Sequence, residues 1–373
     1  MTFVPPPYPY ERLGGLLEVA SRHEGGAVDC SIGTPVDDPP EIVLEALARA
    51  TGVRGYPPSA GTIDLRDAAR GWLDRRFGVA VGDSEIAACV GTKEFVASLA
   101  GFLHRQDPSR DVVLFPAVSY PTYAMSAALA GLSAHPVASR EGRLDLAAIP
   151  AALAQRALVL WVNSPSSPTG ALDDLGAAAA WGRAHGVVVA SDECYADYTW
   201  LEAPRTILES GMSGVLALHS TSKRSNLAGL RVGFYAGDAD LVAYLRLVRQ
   251  HAGLMVPGPA QAAAAVAYRD DEHVEVQRAR YLERLEILAG ALRDYGIDVE
   301  MPAGGFYLWF RDGRSDGWAL AADLARDAGL VTSPGELYGA DGAAFVRLAV
   351  VQPTERLAVI AERLRRAGVS RLR

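Results

Sequence analysis

The residues with most chemistry to offer lie in one run, Ser220-Thr221-Ser222-Lys223-Arg224-Ser225-Asn226-Leu227-Ala228-Gly229-Leu230-Arg231-Val232-Gly233. Val215 to Leu218 lead into it, an apolar run that reads as a buried strand ending in hydroxyls. The hydroxyls of Ser220 and Ser222 with the guanidinium of Arg231 make a site for a phosphate. A lone lysine is ordinarily a solvated one. Beside a phosphate site, Lys223 can instead bond through its amine to a phosphorylated aldehyde.

Four further stretches carry groups that need a partner. Gly91-Thr92-Lys93-Glu94 opens a helix, where backbone N–H groups favour an anion. Asn163-Ser164-Pro165-Ser166-Ser167-Pro168-Thr169-Gly170 is a constrained loop by its prolines and glycine. In Ser191-Asp192-Glu193-Cys194-Tyr195, a carboxylate ends the apolar run Val187-Val188-Val189-Ala190, which is costly without a partner. Arg347, inside Phe345-Val346-Arg347-Leu348-Ala349-Val350, needs an anion: either a structural salt bridge or a ligand.

The elements that must hold these groups alternate. Apolar runs of strand length occur at 86–90, 112–115, 158–162, 187–191, 215–218 and 232–237, with helical spacing at 93–104, 121–132 and 172–185. That is βαβ alternation, which predicts a mainly parallel sheet with helices on both faces and ligands at the strands' carboxyl ends. Upstream, 13–23, 40–51 and 63–77 read as helices, and Gly55-Tyr56-Pro57-Pro58-Ser59-Ala60-Gly61 as a loop. Beyond Gly253 come an alanine-rich helix (257–268), a charged helix (272–295), strands at 304–310 and 345–350, and helices at 318–328 and 356–367. The expected organisation is an N-terminal arm (1–40) joining the small domain, a large domain (41–253) and a smaller α/β C-terminal domain (254–373).

Composition narrows the class. The 373 residues are half apolar with a net charge of −8, and no Lys/Arg block suggests nucleic acid. Three scattered cysteines and no apolar leader or spanning stretch point to a cytoplasmic protein without a disulfide framework. The seven histidines do not cluster, so no metal is expected.

The motifs together resemble the class I/II, fold-type I pyridoxal phosphate (PLP) aminotransferases, over nearly the whole chain from Gly33 to Arg347. The resemblance implies that Lys223 binds the cofactor covalently and moves the substrate's α-proton, and that Asp192 keeps the ring nitrogen protonated. It gives the phosphate to Ser220, Ser222, Arg231, the amides of Thr92 and Lys93, and Tyr56 from the second subunit of a homodimer. An aromatic ring from Pro116-Ala117-Val118-Ser119-Tyr120-Pro121-Thr122-Tyr123 lies on the pyridine, with Tyr120 the choice and Tyr123 the alternative. Tyr195 takes the phenolic oxygen, Asn163 supports its loop, Arg347 binds the substrate carboxylate, and the Gly33 segment passes close to substrate. Ser167 departs from the family pattern, which has asparagine there as a donor to the phenolic oxygen.

Lys223-Arg224-Ser225-Asn226-Leu227-Ala228-Gly229-Leu230-Arg231, the Gly91 turn and Met255-Val256-Pro257-Gly258-Pro259-Ala260-Gln261 look most like the N-succinyldiaminopimelate aminotransferases of lysine biosynthesis. Amino transfer would then run between L-glutamate and the N-succinylated keto acid, with Arg224, Lys93 and Arg54 as candidates for its distal carboxylates. An aminotransferase of secondary metabolism, or a PLP lyase acting at the β- or γ-carbon, would share the same scaffold. A non-enzymatic PLP sensor is disfavoured by the acidic balance.

Overall fold

The computed structural model describes residues 5, 7–140, 142–314 and 316–371. Its contacts divide them into two compact units: residues 37–278 with 303–305, and residues 1–36, 279–302 and 306–373.

The larger unit is built on a seven-stranded sheet. Its strands in chain order are β1 (Ile86–Cys89), β2 (Val112–Pro116), β3 (Ser133–Val137), β4 (Ala157–Asn163), β5 (Val188–Asp192), β6 (Val215–Ser220) and β7 (Gly233–Gly237). They lie in the order β1-β7-β6-β5-β4-β2-β3, and only β7 runs antiparallel to its neighbours. All seven residues of β4 are buried, as expected of a parallel strand covered on both faces. Alternate residues feed two cores. Val112, Leu114, Leu160, Val162 and Val189 join Trp72 on one face, while Val113, Phe115, Val159, Trp161 and Ala190 join Phe95 and Leu99 on the other.

The predicted helices appear as α1 (Ile63–Phe77), α2 (Thr92–Gln106), α3 (Thr122–Ala130), α4 (Leu175–His185), α6 (Gly258–Arg269) and α7 (Glu272–Asp294). Strand β3 and helix α5 are among the elements that the sequence pattern does not announce. Strand β3, Ser-Ala-His-Pro-Val, is an exposed edge strand, where a proline is tolerated and no apolar run is needed. Helix α5 (Ala239–His251) hides its period because one of its inward positions is Arg249. That arginine is fully buried and held by Glu94 of α2, with one bond at 3.0 Å.

The expected domain boundary at Gly253 differs from the observed division, which falls after Arg278, inside α7. Helix α6 packs its alanine face against α1 and against helix Glu41–Arg49, so its burial belongs to the larger unit. The smaller unit holds an antiparallel sheet of β8 (Tyr307–Phe310), β9 (Ser333–Pro334) and β10 (Val346–Ala349), with β10 in the centre. It also holds α8 (Gly317–Ala328) and α9 (Thr354–Arg371). Helix Gly14–Ser21 packs on α8, and Val28–Asp29 pairs in parallel with Leu330–Val331. The N-terminal segment up to Val36 therefore belongs to this unit.

Trp72 of α1 meets Phe77, Phe234, Tyr268 and His219 with ring centroids between 4.9 and 6.0 Å apart, beneath the run that carries Lys223. Truncation of so large a buried ring, Trp72→Ala, is expected to cost about 3–5 kcal/mol in a denaturant titration.

Candidate active site

The strand ends of β4, β5 and β6, with the turn after β1, gather most of the expected residues within the larger unit. Asp192 closes β5, opposite Asn163 of β4 and Leu218 of β6. It is buried, and burial pushes its carboxyl up from the ordinary carboxylate range, opposed by hydrogen bonds from Cys194 and Tyr123. The Tyr123 hydroxyl donates to Oδ2 at 3.0 Å, and the Cys194 backbone N–H donates to Oδ1 at 3.3 Å. A buried carboxylate so prepared suits a cationic partner, which a protonated pyridine nitrogen supplies.

Tyr123 therefore does not serve as the ring that lies on the pyridine. It is fully buried, stacked on Trp161 at 5.2 Å and committed to Asp192. Tyr120 is half-buried at the turn before α3 and edge-on to Tyr123.

Asn163 works on its own loop. Its amide nitrogen donates to the carbonyls of Asp192 (2.7 Å) and Pro165 (3.2 Å), and its oxygen accepts from the Ser167 N–H at 2.7 Å. The loop thereby ties the end of β4 to that of β5 and fixes the backbone of buried Ser167. Tyr195 is buried three residues beyond Asp192.

The anion cup is assembled from three places. Ser220 ends β6, and its hydroxyl accepts from the Ser222 N–H at 3.1 Å and lies 2.9 Å from the Ser222 hydroxyl. Lys223 sits on the single helical turn Thr221–Arg224. Its carbonyl is held at 3.0 Å by the hydroxyl of Tyr198, a contact the sequence did not announce. Arg231 adopts a left-handed backbone, φ 56°, and its guanidinium lies over the turn at Gly91. A Cβ on Gly91 would stand 2.3 Å from that guanidinium, and Gly91 itself has φ 73°. Only glycine fits there, leaving a cradle between an arginine and the N-terminus of α2. These groups fit the phosphate, ring nitrogen and carbonyl of PLP.

Arg224 corrects an expectation. It does not reach out to a distal carboxylate, because its side chain is buried and fully engaged. Its guanidinium meets Asp197 (3.1 Å), Asp271 (3.0 Å) and the Ala267 carbonyl (2.6 Å), between the rings of Trp72 and Tyr268. It is a structural anchor under the turn that carries Lys223. Lys93 and Arg54 are exposed, and Tyr56 is 95% exposed on the Gly55–Gly61 loop.

In the smaller unit, Arg347 lies on β10, buried, beside Tyr307 (4.3 Å) and Tyr338 (4.7 Å) in cation–π contact. It donates to the Ser31 carbonyl at 2.6 Å, which also accepts from the Ser333 hydroxyl. Ser31 and Gly33 belong to one segment, and a Cβ on Gly33 would stand 2.0 Å from the Tyr307 hydroxyl. The Arg347 guanidinium and the Gly33 turn are thus built together around Tyr307, an arrangement able to seat a carboxylate. Among the described residues, no group of side chains is suited to a metal ion, and no helix is long and apolar enough to cross a membrane.

Gly91→Ala places a methyl against the Arg231 guanidinium in a backbone conformation, φ 73° and ψ 151°, open essentially to glycine alone, at a cost of about 1–3 kcal/mol. PLP affinity, measured by equilibrium dialysis of the apo-protein, is expected to fall roughly tenfold or more, since about 1.4 kcal/mol is a factor of ten.

The model of aminotransferase class I and II matches residues 27–364. The chain is 42% identical to 4-dedimethylamino-4-oxo-anhydrotetracycline transaminase OxyQ of Streptomyces rimosus, covering 96% of this chain and 99% of that one. It is 40% identical to a probable aminotransferase of Mycobacterium tuberculosis, over 96% and 85% of the two chains. A solved structure of a probable N-succinyldiaminopimelate aminotransferase from Thermus thermophilus superposes with a TM-score of 0.86 at 31% identity, covering 96% of this chain and 99% of that one. With the fold, the lysine turn and the buried acid in place, the chain belongs to the class I and II aminotransferases, enzymes that depend on pyridoxal phosphate.

Proposed function

We propose that this aminotransferase takes its amino group from L-glutamate and delivers it to a keto acid or ketone, using PLP held by Lys223. The observation that supports this most is the buried Asp192 carboxylate, held by Tyr123 and Cys194 at the end of a parallel strand. Kept ionised, it holds a proton on the ring nitrogen. The bound cofactor supplies an electron-withdrawing ring that acidifies the substrate's α-hydrogen. The Lys223 amine accepts that hydrogen and returns it, while Ser220, Ser222, Arg231 and the Thr92 and Lys93 amides hold the phosphate. Tyr120 lies on the ring, Tyr195 and Ser167 face its phenolic oxygen, and Asn163 keeps the Ser167 backbone in place. Arg347 takes the α-carboxylate, with the Gly33 turn beside it.

Two acceptors are considered. The likeness to the Thermus thermophilus protein supports an N-succinyl-2-amino-6-oxopimelate acceptor in lysine biosynthesis. That reading loses Arg224 as a reader of the extra carboxylates, leaving Lys93 and Arg54. The higher identity to OxyQ favours a second reading, a ketone acceptor in secondary metabolism. A homodimer accounts for Tyr56, whose ring is almost wholly exposed on its own chain and would reach the neighbouring phosphate.

Mixing the PLP-loaded protein with excess L-glutamate tests the donor. Loss of the cofactor's visible band with release of 2-oxoglutarate, absent in Lys223→Ala, is the expected result. An unchanged band would turn the assignment toward another donor or toward lyase chemistry. N-Succinyl-diaminopimelate and a polycyclic amine, each offered as donor in the reverse direction, then separate the two acceptor readings. Gel filtration is expected to return a dimer, and Tyr56→Phe to weaken PLP binding roughly tenfold, as loss of a hydrogen bond to a charged group does. A monomer that binds PLP normally would remove Tyr56 from the site.

A further inference from the structure

One histidine stands behind the lysine turn with both ring nitrogens engaged and no part in the chemistry above. His273, at the start of α7, has Nδ1 2.9 Å from Asp270 Oδ2 and Nε2 2.9 Å from the Ser225 hydroxyl. Ser225 closes the turn Thr221–Arg224, where its N–H donates to the Thr221 carbonyl at 3.0 Å. Its hydroxyl oxygen accepts from the Arg224 guanidinium at 3.3 Å. The partners fix where each hydrogen lies. A carboxylate only accepts, so Asp270 takes the hydrogen of Nδ1. A guanidinium only donates, so the single Ser225 hydrogen is left for Nε2 of the neutral ring. Ser225 is buried and the His273 side chain is only 11% exposed, so water does not readily replace either partner.

We propose that His273 is a positioning residue for Lys223: its neutral ring, oriented by Asp270, holds the Ser225 hydroxyl and with it the turn that carries the lysine, and protonation releases that hold. The proposal rests on the assignment of PLP to Lys223. Protonation would set an N–H on Nε2 against an oxygen that already accepts from Arg224. The Ser225 hydrogen would lose its acceptor, and a second positive charge would stand beside Arg224. Burial, and then the Arg224 charge, lower the ring from the ordinary imidazole range, against the pull of Asp270 and Asp197. Asp271, the other acid at this place, is paired with Arg224 and Arg75. The contribution of a ring lowered in this way is complete above the ordinary imidazole range and is lost as the pH falls through the lowered value.

The test measures PLP affinity of the apo-protein by equilibrium dialysis between about pH 8 and about pH 5, the range in which histidine titrates. Wild type is compared with His273→Gln, which keeps an acceptor for Ser225 and does not titrate, and with His273→Leu, which offers no acceptor. On acidification wild type is expected to lose roughly fivefold more affinity than the glutamine variant, the share of one hydrogen bond. The leucine variant is expected to bind PLP more weakly than wild type already at the upper end of the range, and to lack the extra loss. Thermal melts of the apo-proteins give a readout without cofactor, in which wild type is expected to lose more stability to acid than the glutamine variant. A histidine that only supports the fold would change the melts and leave the wild-type and glutamine affinity curves parallel. Parallel curves overturn the proposal, and so does a leucine variant that binds like wild type. Should the leucine variant fail to fold, the glutamine comparison decides alone. Lys223→Ala separates the underlying assignment: if it keeps the wild-type visible band with PLP, the lysine reading itself fails. If the band is lost and the curves are parallel, only the role of His273 is overturned.

Discussion

The candidate site is arranged around one acid placed where charge is least welcome. Asp192 ends a strand whose last four residues are buried, and burial pushes its carboxyl toward the neutral acid. Donors arrive from two directions, the hydroxyl of a tyrosine on α3 and the backbone N–H of the residue two positions on. The Asn163 amide adds a bond to the Asp192 carbonyl, so the main chain at the strand end is held as well. Much of the surrounding architecture follows from that need. The parallel sheet brings β4 and β5 to the same level, and the stacked Tyr123 and Trp161 fix the phenol's direction.

A second layer of charge lies beneath the lysine turn. Arg224 is enclosed by Trp72 and Tyr268 and paired with Asp197 and Asp271. Removing either end of the buried Arg224–Asp197 pair leaves an uncompensated charge, at a cost of about 3–5 kcal/mol. Arg224 is Lys223's neighbour in sequence and is anchored in the core, while Lys223 is only half-buried. Tyr198 closes the anchor from the other side by binding the carbonyls of both residues. The short turn is thereby held at its carbonyls and at one side chain.

The smaller unit solves a similar problem with aromatic rings. Arg347 sits on a buried strand with Tyr307 and Tyr338 against its guanidinium. Ring faces offset part of the desolvation of the charge without neutralising it. The Tyr10 hydroxyl lies 3.1 Å from that of Tyr338, so the N-terminal segment takes part in the same cluster.

The sequence by itself determined the alternation of strands and helices, the order of the motifs and the chemistry each could carry. Apolar runs of strand length and polar residues at their ends are local patterns, and local patterns are what a linear sequence displays. Asp192 and Ser220 could be placed at strand ends for that reason, and the structure has them there. What only the tertiary structure decided was which way each side chain faces. Asp192 and Glu193 are adjacent acids, yet the first meets Tyr123 and the second meets His219 at 3.1 Å and the Ile207 N–H at 2.8 Å. Successive side chains at a strand end point to opposite faces, so a step of one residue separates the site from the core. The same geometry committed Tyr123 to Asp192, buried Arg224 and brought the Cys194 thiol to Thr92, a residue more than a hundred positions away. Strand β3 and helix α5 escaped detection because an edge and a buried ion pair need no apolar pattern.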